Sequence, residues 1–501
     1  MAEVSDQEFP AKLQRLFVFN SSWGPTETTE EQKIVFYHPS DETDKHKHVG
    51  LIEALIKFMS VFSEDPANVQ HNSKTKTVFR EFEPGFFMVM SVAAPYRTKA
   101  GNDEQREMIH LNERLHDNVL LSTLDRTYKL FKIFTGGFMS HGCDQDAIRH
   151  KCDKFFGRFV SNLNFTSHSS SLVKDLFGAV QFLTLEPLDF LHVQSFVHKV
   201  ENDFPCIDKC LFLHHGNIVW SGLQQEETQL LFFYVYNTLL PNVASKLSSN
   251  ATPNSPFSGY KGKFLTGPTS SAKLTSDQVN SLRIPKVFVP QTCDGVEVFK
   301  EYHFLVYHAI QSTLCLLIPT EVDFTVDFFK RIDAHLGPKL TNISADLLDV
   351  FGKNAASMNQ SNDAPPSILS PSICVNPSLM DSSRSFEEDF NLVYFNDANK
   401  AMKNTCVTSA KTDEIQHCIA ELHEDTHDLL SNEDASPEVK GKMSTELSVK
   451  TANDDWVVAK KVDQRELYLA FKNKGNYSLL DINDEVDKIM SSQFKNICLP
   501  P

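Results

Sequence analysis

The chain begins with a pattern of three strings, LQRLFVFN (13–20), KIVFYHP (33–39) and VGLIEALIKFMSVFS (49–63). The first two are short, rich in aromatic and β-branched residues, and separated by a turn around Gly24-Pro25, which predicts two β-strands. In the third string, helical spacing relates the apolar residues Ile52, Leu55, Ile56, Met59 and Phe62. The sequence therefore predicts a strand–strand–helix unit at the start of the chain.

Further elements extend this unit into a first domain. Strand-like runs cover residues 75–82 and 86–95, and two helices are predicted over residues 106–134 and 145–163. Successive strands that are followed by helices favour an antiparallel sheet with helices packed on it. We therefore predict an α+β fold for this part of the chain.

The pattern recurs twice more along the sequence. In the second unit the predicted elements are a strand–turn–strand over 210–223, a helix over 226–240, a long loop over 244–284, strands over 286–290 and 302–319, and a helix or a helix pair over 323–350. In the third unit they are a strand over 391–397, an acidic and mobile stretch near 421–450, strands over 455–462 and 465–473, and a helix over 484–494. We therefore predict three α+β domains, over residues 9–200, 204–352 and 387–501, with a disordered linker over 353–386.

The composition is that of a globular protein without a nucleic-acid-binding character. The 501 residues are 41% hydrophobic and 23% charged, and the formal net charge is −17. Because nucleic acids and anionic membranes are bound through basic faces, neither is the expected ligand of the chain by itself. No apolar run is long enough to cross a bilayer and no signal peptide precedes the ten cysteines. We therefore expect a cytoplasmic protein with reduced thiols.

The sequence carries no motif that would place a catalytic centre or a cofactor. Glycine-rich phosphate loops and the Gly-x-Ser-x-Gly turn of hydrolases are both missing. One metalloprotease-like string, His423-Glu424-Asp425-Thr426-His427, places two histidines one helical turn apart with a glutamate between them. Asp and Thr stand where such helices carry apolar residues, and the third ligand would have to be a carboxylate such as Glu446. We expect no catalytic residue, metal or cofactor, and a zinc hydrolase remains an alternative.

Several strings in all three units resemble one protein family. Those of the first unit are KIVFYHP (33–39), VGLIEALIKF (49–58), FFMVMSV (86–92) and YKLFKIFTGGF (128–138). Those of the second are NIVWSGL (217–223), GKFLTGP (262–268) and DFFKRIDAHLGPKLT (327–341), and those of the third are NLVYFN (391–396), DDWVVAKKVDQRELYLAF (454–471) and SSQFKNI (491–497). In order and position they resemble the vacuolar fusion CCZ family, which is named for calcium–caffeine–zinc sensitivity.

The resemblance implies a fold and a role. Members of this family have three longin domains and form an obligate heterodimer with the MON subunit, which is built alike. The pair is a guanine-nucleotide exchange factor for the late-endosomal and vacuolar Rab GTPase, and a third subunit containing a β-propeller joins it in animals. The resemblance further implies peripheral recruitment from the cytoplasm to late endosome, lysosome, vacuole and autophagosome membranes, with roles in endosome maturation, autophagy and fusion. A longin-domain trafficking adaptor without a role in exchange is the alternative.

The family places the Rab on a platform made by the first longin domains of both subunits. Projected onto this sequence, the candidate contacts are the turn after the first strand, the end of the second strand and the start of the first helix. They are Trp23, Gly24, Pro25, Tyr37, His38, Pro39, Val49, Gly50 and Leu51. Each has a structural alternative: Trp23 can cover its own sheet, Tyr37 and Leu51 can pack in the core, and His38-Pro39 can simply end a strand.

Overall fold

The computed structural model describes most of the chain and shows two compact units. The described residues are 7–24, 26–62, 68–99, 107–139, 144–163, 172–183, 185–241, 262–268, 271, 274–293, 296–358, 390–405, 410–431, 444–472 and 476–493. Residues 1–178 and 407–432 form the first unit, and residues 179–406 and 433–501 form the second. Most of the predicted linker over 353–386 lies outside the described residues.

The first unit is built on a five-stranded antiparallel sheet of order β3-β2-β6-β5-β4. Its strands are β2 (Lys12–Asn20), β3 (Ile34–His38), β4 (Val69–His71), β5 (Thr75–Glu83) and β6 (Phe86–Ala93). A smaller sheet pairs β1 (Gln7–Phe9), β7 (Tyr96–Lys99) and β8 (Glu107–His110). The helices are α1 (Lys45–Met59), α2 (Asp117–Thr135), α3 (Gln145–Phe159) and α4 (Leu172–Phe177). The helix predicted over 106–134 therefore begins only at Asp117, because residues 107–110 pair with β7 as a strand.

Side chains of this sheet alternate between two covered faces. Leu16 and Val18 of β2 belong to the core under α2 and α3, whereas Phe17 and Phe19 belong to a second core under α1. Gly136 ends α2 in the left-handed conformation, with φ of 81° and its N–H bonded to the carbonyl of Lys132. The α1 side of the sheet is thus a separate layer of the domain.

The second domain has a larger antiparallel sheet of order β10-β9-β14-β13-β11, with β12 also paired to β13. Its strands are β9 (Lys209–His214), β10 (Asn217–Ser221), β11 (Lys263–Thr266), β12 (Lys286–Cys293), β13 (Val296–Ala309) and β14 (Ser312–Pro319). Its helices are α5 (Pro187–Asp203), α6 (Gln225–Tyr234), α7 (Ser276–Ser281) and α8 (Val326–Met358), and α6 continues as a π-helical turn over Val235–Leu239. The loop predicted over 244–284 contains β11 and α7, two elements too short to show a periodic pattern.

The third domain contributes a five-stranded antiparallel sheet of order β16-β15-β19-β18-β17. Between its second and third strands the chain forms α9 (Ala410–Ser431), which belongs to the first unit. The strands are β15 (Phe390–Asn396), β16 (Ala401–Asn404), β17 (Ser444–Lys450), β18 (Trp456–Val462) and β19 (Arg465–Phe471), and α10 (Leu479–Gln493) packs on the sheet. The mobility predicted for the acidic stretch near 421–450 is wrong at both ends, because its first residues belong to α9 and its last residues form β17.

These sheets confirm the predicted fold class of three α+β domains with antiparallel sheets and packed helices. Among the described residues, no helix combines the length and apolarity that crossing a membrane requires. Cys152, Cys206, Cys210, Cys315 and Cys418 are free thiols, and all of these except Cys206 are buried.

Candidate protein-interaction site

Helix α1 covers one face of the first sheet with a single row of side chains. Val49 and Ile52 are buried against a core that includes Phe17, Phe19 and Val89. Its N-terminal end is held by Tyr37, whose hydroxyl lies 2.7 Å from His48 Nδ1. Burial raises the pKa of Tyr37 to about 12 and also lowers the pKa of His48, so both partners of this hydrogen bond are held in their neutral forms.

The outward side of α1 is also apolar. Leu51 is 58% exposed, Phe58 63%, Val61 77% and Phe62 73%. Residues 51, 58 and 62 recur at helical spacing, and the rings of Phe58 and Phe62 touch with centroids 4.9 Å apart. Leu51 and Phe58 lie on α1, and Val61 and Phe62 lie in the turn that follows it. We call these four side chains the open α1 face. Large apolar side chains that lie together in water indicate a surface that is covered in the working protein.

The rim of this face is basic. Glu53 is the sole acidic residue of α1, and it is buried. Its carboxylate accepts hydrogen bonds from Lys33 at 2.7 Å and Lys57 at 2.6 Å. Burial opposes its ionisation, but the two lysines outweigh that effect and lower its pKa. Lys57 and Lys47 are themselves about 70% exposed, and Lys47 also pairs with Asp44 at 2.7 Å. A partner that covers the open α1 face is therefore expected to carry carboxylates around an apolar centre.

The structure places the first two candidate contacts in the folded turn after β2. The Trp23 ring packs edge-on against Phe86 with centroids 5.6 Å apart, and the Arg149 guanidinium lies 5.3 Å from its centre. Gly24 has φ of +54°, and a Cβ there would lie 2.1 Å from the carbonyl oxygen of Thr29. These residues shape the turn on the α3 side of the sheet. Pro25 lies outside the described residues.

The remaining candidates lie at α1 and at the end of β3. Tyr37 and Val49 are buried, while His38 and Pro39 are half-buried where β3 ends. Gly50 and Leu51 are exposed, and nothing lies within 4 Å of a Cβ built on Gly50. Three of the nine residues therefore lie on α1, and two of these three are exposed. The sequence reasoning missed Phe58, Val61 and Phe62 as surface residues.

The signal for the missed residues was present in the sequence. The string at 49–63 is apolar on more of its circumference than a single sheet can cover. Helical spacing alone assigned Phe62 to the packed side, although it lies just after the end of α1 and is 73% exposed. A helix that is apolar on two sides predicts a second packing partner besides the sheet, and the number of apolar residues in the string is enough to indicate this.

The metalloprotease-like string lies on α9. His423 and His427 do face the same side of that helix, with ring centroids 4.4 Å apart, and Phe177 lies edge-on to His423. Thr426 is buried and its hydroxyl donates to the carbonyl of Leu422 at 2.5 Å. Glu446, the carboxylate considered as third ligand, is paired with Lys460 at 3.2 Å across β17 and β18. The carboxylate that the sequence offered as a third ligand is therefore engaged by a lysine.

Three family models match the chain. The one described as the first longin domain of INTU, CCZ1 and HPS4 matches residues 13–136. Those described as Intu longin-like domain 2 and Intu longin-like domain 3 match residues 207–337 and 386–489. The three matches follow the order of the three large sheets, so each large sheet belongs to a longin domain.

Relatives match over almost their whole length. The chain is 31% identical to the vacuolar fusion protein CCZ1 homolog of Xenopus tropicalis, over 99% of this chain and 98% of that protein. It is 31% identical to the homolog of Nematostella vectensis over 97% of both chains, and 25% identical to that of Dictyostelium discoideum over 96% of this chain and 97% of that one. With three longin domains in the same order and nearly full coverage in both directions, the chain belongs to the family of the vacuolar fusion protein CCZ1 homologs.

Proposed function

We propose that this chain is the non-catalytic half of a heterodimeric guanine-nucleotide exchange factor, in which it pairs with a MON subunit and acts on the late-endosomal and vacuolar Rab GTPase. The coarser part of this proposal, a role in vacuolar fusion and membrane trafficking, is supported by the names of its relatives. The single observation that carries the finer part is the open α1 face, an apolar helix surface in the first longin domain.

An exchange factor of this kind works by binding alone. It binds the nucleotide-free GTPase more tightly than the loaded one, which opens the switch regions and weakens the hold on nucleotide and Mg²⁺. Such a role calls for complementary surfaces and for no reactive side chain. The open α1 face has the apolar centre and polar rim of a protein-binding surface.

A second helix of the same chain supports a longin domain as the partner. In the third strand–strand–helix unit, α9 holds the place that α1 holds in the first. Within the first unit, His417 Nδ1 of α9 lies 2.8 Å from His116 Nε2, and Phe177 of α4 packs on His423. Within the first unit, α9 therefore packs on α4 and beside His116. We infer that the first domain of the MON subunit covers the open α1 face in the same manner.

The test uses a double substitution on the open face and a matched control. Phe58→Asp with Phe62→Asp puts charge into the face, whereas Leu188→Asp changes a leucine of α5 that is 80% exposed. Co-expressed with a tagged MON subunit, the double variant should lose co-purification and the control should retain it. Release of fluorescent GDP from the Rab should then fall to the intrinsic rate for the double variant and for this chain alone.

Two results would reject the proposal in different ways. If the purified single chain accelerated nucleotide release as fast as the heterodimer, the role of the second subunit would be wrong. If the intact heterodimer assembled but left release at the intrinsic rate, the trafficking-adaptor hypothesis would replace exchange. We further propose peripheral recruitment of the complex to late endosomes, lysosomes or vacuoles and autophagosomes, with a third β-propeller-containing subunit in animals.

A further inference from the structure

The five residues that open the second unit, Ala-Val-Gln-Phe-Leu at 179–183, hydrogen-bond to two sheets at once. On one side the Val180 N–H donates to the carbonyl of Lys400 at 2.9 Å, and the Met402 N–H donates to the carbonyl of Val180 at 3.0 Å. On the other, the Ile218 N–H donates to Gln181 and the Leu183 N–H donates to Ile218, both at 2.8 Å. We call residues 179–183 the bridging segment.

The geometry of these four bonds is that of a central strand. The two bridges, Val180 with Ala401 and Phe182 with Ile218, are both parallel. In parallel pairing a residue directs its N–H and C=O to the same side, and successive residues alternate between sides. Val180 therefore hydrogen-bonds to one sheet, while Gln181 and Leu183 hydrogen-bond to the other. The bridging segment is too short to be recognised as a strand, but it is bonded as one.

The two strands that it joins are the outer strands of their sheets. β10 stands at the edge of the second-domain sheet and β16 at the edge of the third-domain sheet. Edge strands present unpaired backbone groups that favour pairing with another strand. The bridging segment satisfies such groups on both edges, and Val180 is itself buried at 2% exposure. The second and third sheets are thereby continuous through five residues.

We propose that the bridging segment makes the second and third longin domains one cooperative unit, in which opening of either junction opens the other. When a strand shared by two sheets leaves one of them, its backbone is no longer held in the conformation to which the other sheet is hydrogen-bonded. Hydrogen bonds that hold the segment to one sheet then also stabilise its junction with the other sheet, as thermodynamic linkage requires. The proposal does not depend on the exchange function and can hold whether or not that function is confirmed.

Hydrogen exchange of the unaltered full chain gives the first test. The amides of Val180, Leu183, Ile218 and Met402 each donate one of the four bonds. If the segment is one shared element, these four amides should exchange with the same opening free energy and the same dependence on low concentrations of denaturant. Opening free energies at Ile218 and Met402 that differ, with different denaturant dependence, would overturn the proposal.

Two pairs of variants test the coupling in each direction. Val180→Pro removes the N–H that bonds Lys400, whereas Val180→Ala loses side-chain contact and keeps the bond. Relative to Val180→Ala, the proline variant should speed exchange at Ile218, on the opposite junction, at least tenfold. Leu183→Pro, compared with Leu183→Ala, should speed exchange at Met402 by a similar factor.

Reciprocity makes the outcome decisive. Faster exchange at both distant junctions supports the shared element, whereas faster exchange confined to the junction that carries the proline refutes it. Should either proline variant fail to fold, the comparison of Ile218 and Met402 in the unaltered chain decides the matter alone.

Discussion

At the scale of single residues, two glycines from the predicted contact set have opposite structural roles. Gly24 has φ of +54°, and a Cβ at this position would clash with the carbonyl oxygen of Thr29. The turn therefore requires glycine. Gly50 lies within α1, is exposed, and has open space where a Cβ would stand. In the sequence both are glycines beside apolar strings. The sequence does not show that the backbone requires glycine at position 24 and would accept another residue at position 50.

Alanine substitutions should therefore change stability in opposite directions. Gly24→Ala combines a left-handed backbone with a contact of 2.1 Å, and we expect it to lower the melting temperature of the chain by several degrees. Gly50→Ala should raise stability by about 0.5–1 kcal/mol, because alanine loses less backbone entropy in a helix. Thermal unfolding followed by circular dichroism measures both. A neutral Gly24→Ala would show that the turn relaxes freely.

At the scale of elements, the sequence predicts what has a long or alternating pattern. β2 and α1 were predicted because alternation and helical spacing extend over a whole element. β8 was missed because four residues next to a helical pattern look like its first turn. In α9, acidic residues conceal the buried row of Ile415, Ile419 and Leu422. Of the open α1 face, the sequence analysis named only Leu51 as a candidate contact, because a period shows which residues share a side and not which side is covered.

The two sides of α1 should respond differently to charge. Ile52 is 4% exposed, so Ile52→Asp buries a carboxylate in the core and should unfold the first domain. Phe58→Asp with Phe62→Asp changes side chains that are mostly in water and should shift the melting temperature by no more than about 1–2 °C. Circular dichroism and gel filtration check the fold of each variant. A large loss of stability in the double variant would mean that this side packs within the chain.

At the scale of the whole molecule, the arrangement of elements depends on contacts that no local pattern reports. α9 lies between two strands of the third sheet in sequence and belongs to the first unit in the structure. The bridging segment pairs with strands about 35 and 220 residues further along the chain, at Ile218 and Ala401. The family resemblance supplied three longin domains, whereas the bonding between the second and third is visible only in the structure.

Acid sensitivity is another property of the whole molecule. Burial lowers the pKa of His214 to about 3, with a smaller effect of His215, and burial together with Lys263 lowers the pKa of His308 to about 4. Both side chains are neutral when buried and hydrogen-bonded, His214 to Ser312 and His308 to Thr313. The unfolded chain binds their protons below about pH 6.5, whereas the folded chain does not.

Stability contributed by these histidines is therefore fully present above about pH 6.5 and is lost as the pH falls towards 4. The loss is at most about 1.4 kcal/mol per pH unit for each group. Thermal scans between pH 7 and 4.5 should show a falling melting temperature, and a flatter slope for His214→Asn and His308→Asn. His46→Asn, on the exposed side of α1, is the control and should keep the original slope. Equal slopes in all four proteins would assign acid sensitivity to other groups.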